Sequence, residues 1–339
     1  MNLQRAWYLC VTITPDNIFI SVLKGVDLIE HRQDNACFMQ FSHYLQFPEI
    51  THGVFTRLGG YSITPYKGLN ASFSTGDSLE NVTRNRLLVL QSLDLQAYPC
   101  ATLWQVHGAD VATLDTDKNI WDDWRTDWPH RSYGVEDQEL IWTIKPRRKA
   151  DALITRQRGV TLALSFADCT PLLFYDPVQQ VIGLAHGGWR GTARGIALAT
   201  VEAMCEQLNC QPRDIYAGIA PSIGPCCYEV SEQVRCLYFG QDQFPEMPTL
   251  ERYCTMVRES AVFCMRQRAD RSGPTIHLDL QETNRNQLLM AGLLPEHIEM
   301  PGICTGCQTA LFFSHRVEEG KTGRFPVVLA LRDRDRVSL

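Results

Sequence analysis

Three short segments concentrate residues able to do chemistry: Trp104-Gln-Val-His107-Gly108, Phe166-Ala-Asp168-Cys169-Thr-Pro171 and Ala185-His186-Gly187-Gly188-Trp189-Arg190-Gly191. His107, Cys169 and His186 each close a short apolar run where a strand gives way to a loop, the position at which a rigid scaffold presents functional side chains. The run between Cys169 and His186 reads as a β-hairpin, which brings its ends together. Two imidazoles and a thiolate form a borderline-soft ligand set that suits Zn²⁺. Three protein ligands leave one tetrahedral position open, the mark of a catalytic rather than a structural site. Copper is the alternative metal, because Cu²⁺ outcompetes Zn²⁺ at most N/S sites. The same residues have plainer readings. A histidine after a strand can be a hydrogen-bonded structural residue, and a cysteine in a strand a core residue. A metal-free reading makes Cys169 a nucleophile and His186 its base, as in an amidase-type hydrolase.

Around this trio stand groups that could handle protons and anions. Asp168 adjoins Cys169 and could shuttle a proton for a zinc-activated water. Strand alternation, however, points neighbouring side chains to opposite faces and would make Asp168 structural. The Gly187–Gly191 turn runs into a helix expected near Thr192, and amide N–H groups at a helix start attract phosphate. Arg190 adds a bidentate clamp there, and Arg57 is a second cation for the same anion. Cys304-x-x-Cys307 has the spacing of a zinc or redox motif, but a zinc site needs a second pair. Cys226-Cys227 are adjacent and do not supply one. Gln308-Thr-Ala-Leu-Phe-Phe reads as a strand, not the helix that a thioredoxin-type motif opens. The cysteines at 304 and 307 are therefore read as structural. Trinuclear copper sites draw on His-x-His pairs, and the nine histidines (31, 43, 52, 107, 130, 186, 277, 297 and 315) contain none.

The elements that must position these groups are legible in part. Apolar runs at 160–166, 171–175, 181–185, 215–220 and 326–331 read as strands. One helix follows Asp77 and Ser78 as caps and buries Leu79, Val82, Val89, Leu90 and Leu93. A second starts near Thr192 and carries Ala193, Ala197, Val201, Met204 and Leu208 on one face. A third aligns Leu250, Tyr253, Val257, Ala261 and Cys264. A fourth runs from the cap Asp279 to Gly292. Adjacent strand pairs with scattered helices argue for mixed sheets rather than a doubly wound parallel one. Residues 1–48 read as β-like and irregular, with alternation at 17–22. Residues 115–148 hold Trp121, Trp124, Trp128 and Trp142 and read as a surface insertion, either a docking surface or folded back on the domain.

Composition sets the class. The 339 residues are 45% apolar and 21% charged, enough to bury a large core and incompatible with global disorder. The net charge is −6, without a basic stripe, so nucleic acid is a poor partner. No stretch has the roughly 20 apolar residues of a membrane span, and no secretory signal opens the chain. A cytoplasmic protein is expected, with its 13 cysteines mostly as thiols.

An ordered set of further motifs surrounds the three segments. His52-Gly-Val-Phe55-Thr56-Arg57-Leu-Gly59-Gly60, Pro65-Tyr66, Leu69-Asn70, Gly76-Asp77 and Asn85-Arg86 come first. Ala150-Asp151-Ala152-Leu153-Ile154-Thr155 and Ile219-Ala-Pro-Ser-Ile223-Gly224-Pro225-Cys226-Cys227-Tyr228-Glu229-Val230 follow. Asp279-Leu280, Cys304-Thr305, Phe312-Phe313-Ser314, Arg316 and Thr322-Gly323-Arg324 complete the set. Together they resemble the family once described as laccase-domain polyphenol oxidases and now regarded as purine nucleoside phosphorylases. The resemblance spans residues 51 to about 331. It implies a metal, usually zinc, held by His107, Cys169 and His186. It implies a single domain at 49–335, an α+β layered α/β/β/α sandwich with mixed β-sheets, preceded by an extension at 1–48. It also implies phosphorolysis of adenosine, inosine, guanosine and methylthioadenosine, with adenosine deamination as a second activity. The partners are then a purine nucleoside and phosphate, the protein being a monomer or homodimer. Arg57, Asn70, Gly188 and Arg190 are the expected substrate- and phosphate-binding residues, with Gly188 standing where alanine is more usual. A non-enzymatic nucleotide-binding role is the remaining alternative.

Overall fold

The computed structural model describes residues 28–33, 35–114, 148–242, 251–267 and 273–333. The alternation at 17–22, Leu250 and nearly all of the tryptophan-rich insertion lie outside these residues. Strands β1 (Leu28–Gln33) and β2 (Ala36–Phe41) pair antiparallel and lead to β3 (Ile50–Gly59) and helix α1 (Leu79–Gln91). Next come β4 (Cys100–Ala101), β5 (Val111–Thr113), β6 (Ala152–Thr155), β7 (Val160–Phe166), β8 (Thr170–Asp176) and β9 (Val181–Gly187). Helices α2 (Trp189–Ala193) and α3 (Ile196–Leu208) and strand β10 (Tyr216–Ile219) follow. The last part holds β11 (Glu229–Val230), α4 (Glu232–Tyr238), α5 (Glu251–Ser260), β12 (Phe263–Gln267), β13 (Pro274–Leu278), α6 (Leu280–Met290), β14 (Ile298–Glu299) and β15 (Phe325–Leu331).

The strands form two six-stranded mixed sheets, ordered β1-β2-β3-β15-β7-β4 and β14-β10-β8-β9-β6-β5, and a small sheet β11-β13-β12. Successive side chains on a strand face opposite ways, and this period of two builds the layers. Leu162, Leu164 and Phe166 of β7 and Val327, Leu329 and Leu331 of β15 meet Leu173 and Tyr175 of β8 and Ile182 and Leu184 of β9 in one core between the sheets. The intervening residues face outward. Ala163, Val328 and Ala330 pack under α1 residues Leu88, Val89 and Leu90. Leu172, Phe174 and Ala185 pack under α3 residues Ile196, Val201 and Met204. The result is an α/β/β/α sandwich. The β1–β2 pair precedes residue 49 yet extends the first sheet and places Met39 and Phe41 in the central core. Among the described residues, no helix is long and apolar enough to cross a membrane.

Local signals explain most of the helix limits. The Ser78 side chain accepts the Asn81 N–H at 3.1 Å to open α1, and Asp279 accepts the Glu282 N–H at 3.0 Å to open α6. Ser78→Ala is expected to cost about 1 kcal/mol, read as a lower urea midpoint at unchanged slope. Four expectations change. Leu79 is 48% exposed at the first turn of α1 rather than buried. The helix near Thr192 is two helices, broken at Gly195, whose φ of +83° suits glycine and where a Cβ would stand 3.1 Å from the Tyr253 ring. The third helix stops at Ser260, because residues 263–267 pair with β13 and Cys264 lies opposite His277. Residues 308–312 are turns rather than a strand. Leu311 and Phe312 donate back to the Gln308 carbonyl, and the Leu311 carbonyl accepts from Arg57 N at 2.7 Å.

Candidate metal centre

The hairpin expected between Cys169 and His186 is β8–β9, with Thr170 opposite Gly187 and Pro171 opposite His186. Cys169 thus sits at the mouth of the hairpin beside His186. His107 arrives from the loop between β4 and β5. One ligand atom from each of the three lies within 4.8 Å of the others, and the two imidazoles meet edge to face with centroids 4.8 Å apart. Gly188 faces this convergence. A Cβ there would stand 3.0 Å from both Cys169 Sγ and His107 Cδ2. The glycine therefore keeps the space over two donor residues open.

Asp151 organises the trio. Its fully buried carboxylate accepts His186 Nδ1–H at 2.8 Å, which leaves Nε2 as the donor atom facing the centre. It also accepts the backbone N–H groups of Val106 at 3.2 Å, His107 at 3.0 Å and Gly108 at 2.6 Å. This explains how His107 is held at φ +59°, a left-handed conformation that costs a non-glycine residue roughly 1–3 kcal/mol. Burial would raise the Asp151 pKa, but the His186 contact and these amide donors hold the carboxyl below its usual range.

The electrostatics favour a thiolate. Burial alone would push the Cys169 thiol up. The attraction of His186 and the hydrogen bonds with His107 and His186 outweigh it, and the thiol falls to about 6. His186 moves the other way: burial disfavours its charge, but Cys169 and Asp151 raise it. Thiolate is the form that ligates metals and attacks electrophiles. Convergent N, N and S donors, a ring oriented from behind and a glycine where a Cβ would crowd two of the donor residues fit a divalent metal of borderline softness.

Asp168 follows the last residue of β7 by two positions, so strand alternation does not govern it. It has φ +80°, and both carboxylate oxygens are engaged. Thr305 Oγ1 donates to one at 2.7 Å and Arg316 N to the other at 2.6 Å, while Ile223 N donates to its carbonyl at 2.9 Å. Asp168 fastens three loops around Cys169.

Of the expected anion-binding residues, Arg190 is exposed and stacks on Trp189 at 4.3 Å. The helix beginning at Trp189 has only five residues, so its dipole is short. Arg57 and Asn70 are otherwise engaged. Arg57 Nη1 donates to Glu318 Oε1 at 2.8 Å and to the Thr309 carbonyl at 2.9 Å, over the Phe313 ring. Asn70 is fully buried, donates to Asp77 at 2.9 Å and Thr75 at 3.0 Å, and accepts Arg324 N at 2.9 Å. Two cations not singled out for substrate border the same loops. Cys169 and Asp168 both act electrostatically on Arg324, and Cys169, Arg316, Asp168 and Arg190 all act on Tyr228. Arg324 Nη2 also lies 3.2 Å from His315 Nδ1. The sequence signal was present in three basic residues, His315, Arg316 and Arg324, within ten positions of one another. Asp151 had a signal too, as one carboxylate at the head of an apolar strand.

A two-histidine, one-cysteine donor set at the mouth of a hairpin, in an α/β/β/α sandwich, defines the class of protein. The chain belongs to the family described as multi-copper polyphenol oxidoreductase laccase, whose model matches residues 51–332. It is 36% identical over 289 residues to a Geobacillus stearothermophilus protein named purine nucleoside phosphorylase YlmD, covering 85% of this chain and 92% of that one. It is 34% identical over 181 residues to human purine nucleoside phosphorylase LACC1, covering 52% of this chain and 37% of the human protein. The crystal structure of YlmD from Geobacillus stearothermophilus superimposes with a TM-score of 0.67 at 34% identity, covering 89% of this chain and 98% of that one.

Proposed function

We propose that this protein is a zinc-dependent purine nucleoside phosphorylase. In this reading it cleaves adenosine, inosine, guanosine and methylthioadenosine with phosphate and also deaminates adenosine. The observation that carries the reading is the convergence of the His107, Cys169 and His186 donors, with Arg324 close enough to Cys169 to interact with it electrostatically. An anion and an electrophilic centre are both provided for within one site. The relatives named purine nucleoside phosphorylase support the substrate class.

In phosphorolysis a phosphate oxygen bonds to C1′ as the C1′–N9 bond breaks, and the base leaves with the bonding electrons and takes up a proton. Positive charge develops on the ribose and negative charge on the base. The arginines bind phosphate and hold it against the reacting carbon, supplying orientation and charge complementarity. Asp168 positions Arg316 by accepting its backbone N–H, and Asn70 positions Arg324 in the same way. Arg57, paired with Glu318, braces the loop that carries His315 and Arg316. A divalent cation bound by His107, Cys169 and His186 would supply a Lewis acid with an open coordination position.

Arg324→Ala removes a charge-assisted contact worth about 1.5–3 kcal/mol. It is expected to raise the phosphate KM by roughly ten- to a hundredfold. Arg57→Ala is expected to lower the melting temperature with a smaller change in KM. The deciding experiment incubates metal-quantified protein with adenosine, with and without phosphate, and separates the products. Adenine and ribose-1-phosphate appearing only with phosphate support the phosphorylase, and inosine without phosphate supports deamination. No product from adenosine, inosine or methylthioadenosine in zinc-loaded protein overturns the reading. The low thiol pKa and raised imidazole pKa favour a Cys169–His186 hydrolase as the second reading. Iodoacetamide inactivation of metal-stripped protein that chelators leave active would select it.

A further inference from the structure

A second convergence of donors stands apart from this centre. Cys226 and Cys227 lie in the turn after β10, and Cys304 and Cys307 in the turn between β14 and β15. Adjacency in sequence argued against a pair at 226 and 227, but the fold brings all four sulfurs together. Their Sγ atoms lie within 4.8 Å of one another, with Cys226–Cys307 at 3.2 Å and Cys227–Cys307 at 3.5 Å. A tetrahedral zinc with Zn–S bonds of about 2.3 Å sets its sulfurs roughly 3.8 Å apart. A disulfide needs about 2.05 Å, and all four cysteines are free thiols. The backbone is shaped for the cluster. Gly224 N–H donates to Cys304 Sγ at 3.1 Å. A Cβ at Gly306 would stand 2.9 Å from Cys227 Cβ and 3.1 Å from its sulfur. Cys304 is buried while Cys226 and Cys307 are exposed, which gives an incoming ion a path.

We propose that Cys226, Cys227, Cys304 and Cys307 form a structural site for a thiophilic divalent cation of the zinc class, distinct from the His107–Cys169–His186 centre. Four thiolates fill every tetrahedral position, so the site is closed to substrate. Binding releases the thiol protons to solvent as the metal–sulfur bonds form. The site clamps the turn after β10 to the turn after β14. These are the turns whose Ile223 N and Thr305 Oγ1 hold Asp168 beside Cys169. The proposal stands whatever reaction the first centre carries out.

The test measures metal per chain in zinc-loaded, gel-filtered protein and records the visible spectrum after cobalt substitution. Wild type and the control Cys254→Ser, an exposed cysteine outside the cluster, are expected to hold two metals per chain. The Cys226→Ser/Cys307→Ser protein and His107→Ala are each expected to hold one. The intense absorption of a four-thiolate cobalt site should persist in His107→Ala and vanish in the cysteine double variant. If that double variant fails to fold, the spectrum of His107→Ala decides the matter alone. Wild type holding one metal, retained on loss of Cys226 and Cys307, overturns the proposal. So does a Cys226–Cys307 disulfide found by peptide mapping of protein prepared under reducing conditions.

Discussion

Cys169→Ala is expected to lower phosphate-dependent cleavage of adenosine by about a thousandfold or more while leaving the protein folded. The alanine deletes one of three donors, and the remaining two imidazoles are expected to hold a metal far more weakly. If the centre supplies several kcal/mol of charge stabilisation in the transition state, about 4 kcal/mol corresponds to roughly three powers of ten in rate. Cys169 is only half-buried at the mouth of the hairpin, so truncation opens no large cavity. Three measurements check this: metal content, initial rate and melting temperature. Metal lost, rate collapsed and melting temperature within a few degrees is the expected pattern. An unchanged rate would remove Cys169 from the reaction altogether.

Asp151→Ala is expected to damage both fold and site. The carboxylate is buried and serves three backbone donors and one imidazole. Removing one partner from such a buried, charged network costs about 3–5 kcal/mol. It also releases His107 from its left-handed conformation and His186 from its fixed ring orientation. Loss of a group that orients a ligand typically weakens metal binding about ten- to a hundredfold. The conservative Asp151→Asn keeps the volume but presents an amide N–H₂ to donors, so it should recover only part of the stability. Urea midpoints and metal competition titrations separate the two effects. Wild-type metal affinity in both variants would show that Asp151 serves the fold alone.

The hairpin carrying Cys169 and His186 was legible because a short apolar pair of strands is a local pattern, and both donors lie at its mouth. The layers were legible because period-two alternation in β7, β8, β9 and β15 sorts residues to the two faces. What the sequence concealed depends on distance along the chain. Asp151 acts on backbone amides more than forty positions earlier, and no side-chain pattern marks an amide. Arg316 and Arg324 follow turns that resemble a strand in composition, since Leu311, Phe312 and Phe313 are apolar for packing rather than for pairing. The helix expected near Thr192 is interrupted at Gly195, where the chain takes a left-handed turn and a side chain would meet Tyr253 of another helix. Cys226 and Cys227 became partners of Cys304 and Cys307 only through tertiary contact.

The β8–β9 hairpin also bears on how the protein is assembled. A hairpin forms in about 1–10 μs, and its contacts join residues close in sequence. His107 joins only when a loop more than forty positions from Asp151 closes onto that carboxylate, which carries a larger entropic cost. On these grounds the hairpin's two donors are expected to come together before the third donor docks. An ion captured at that stage is held by thiolate and imidazole alone and can still exchange. If the centre takes up its ion at that stage, docking of the 106–108 loop is the step that commits it.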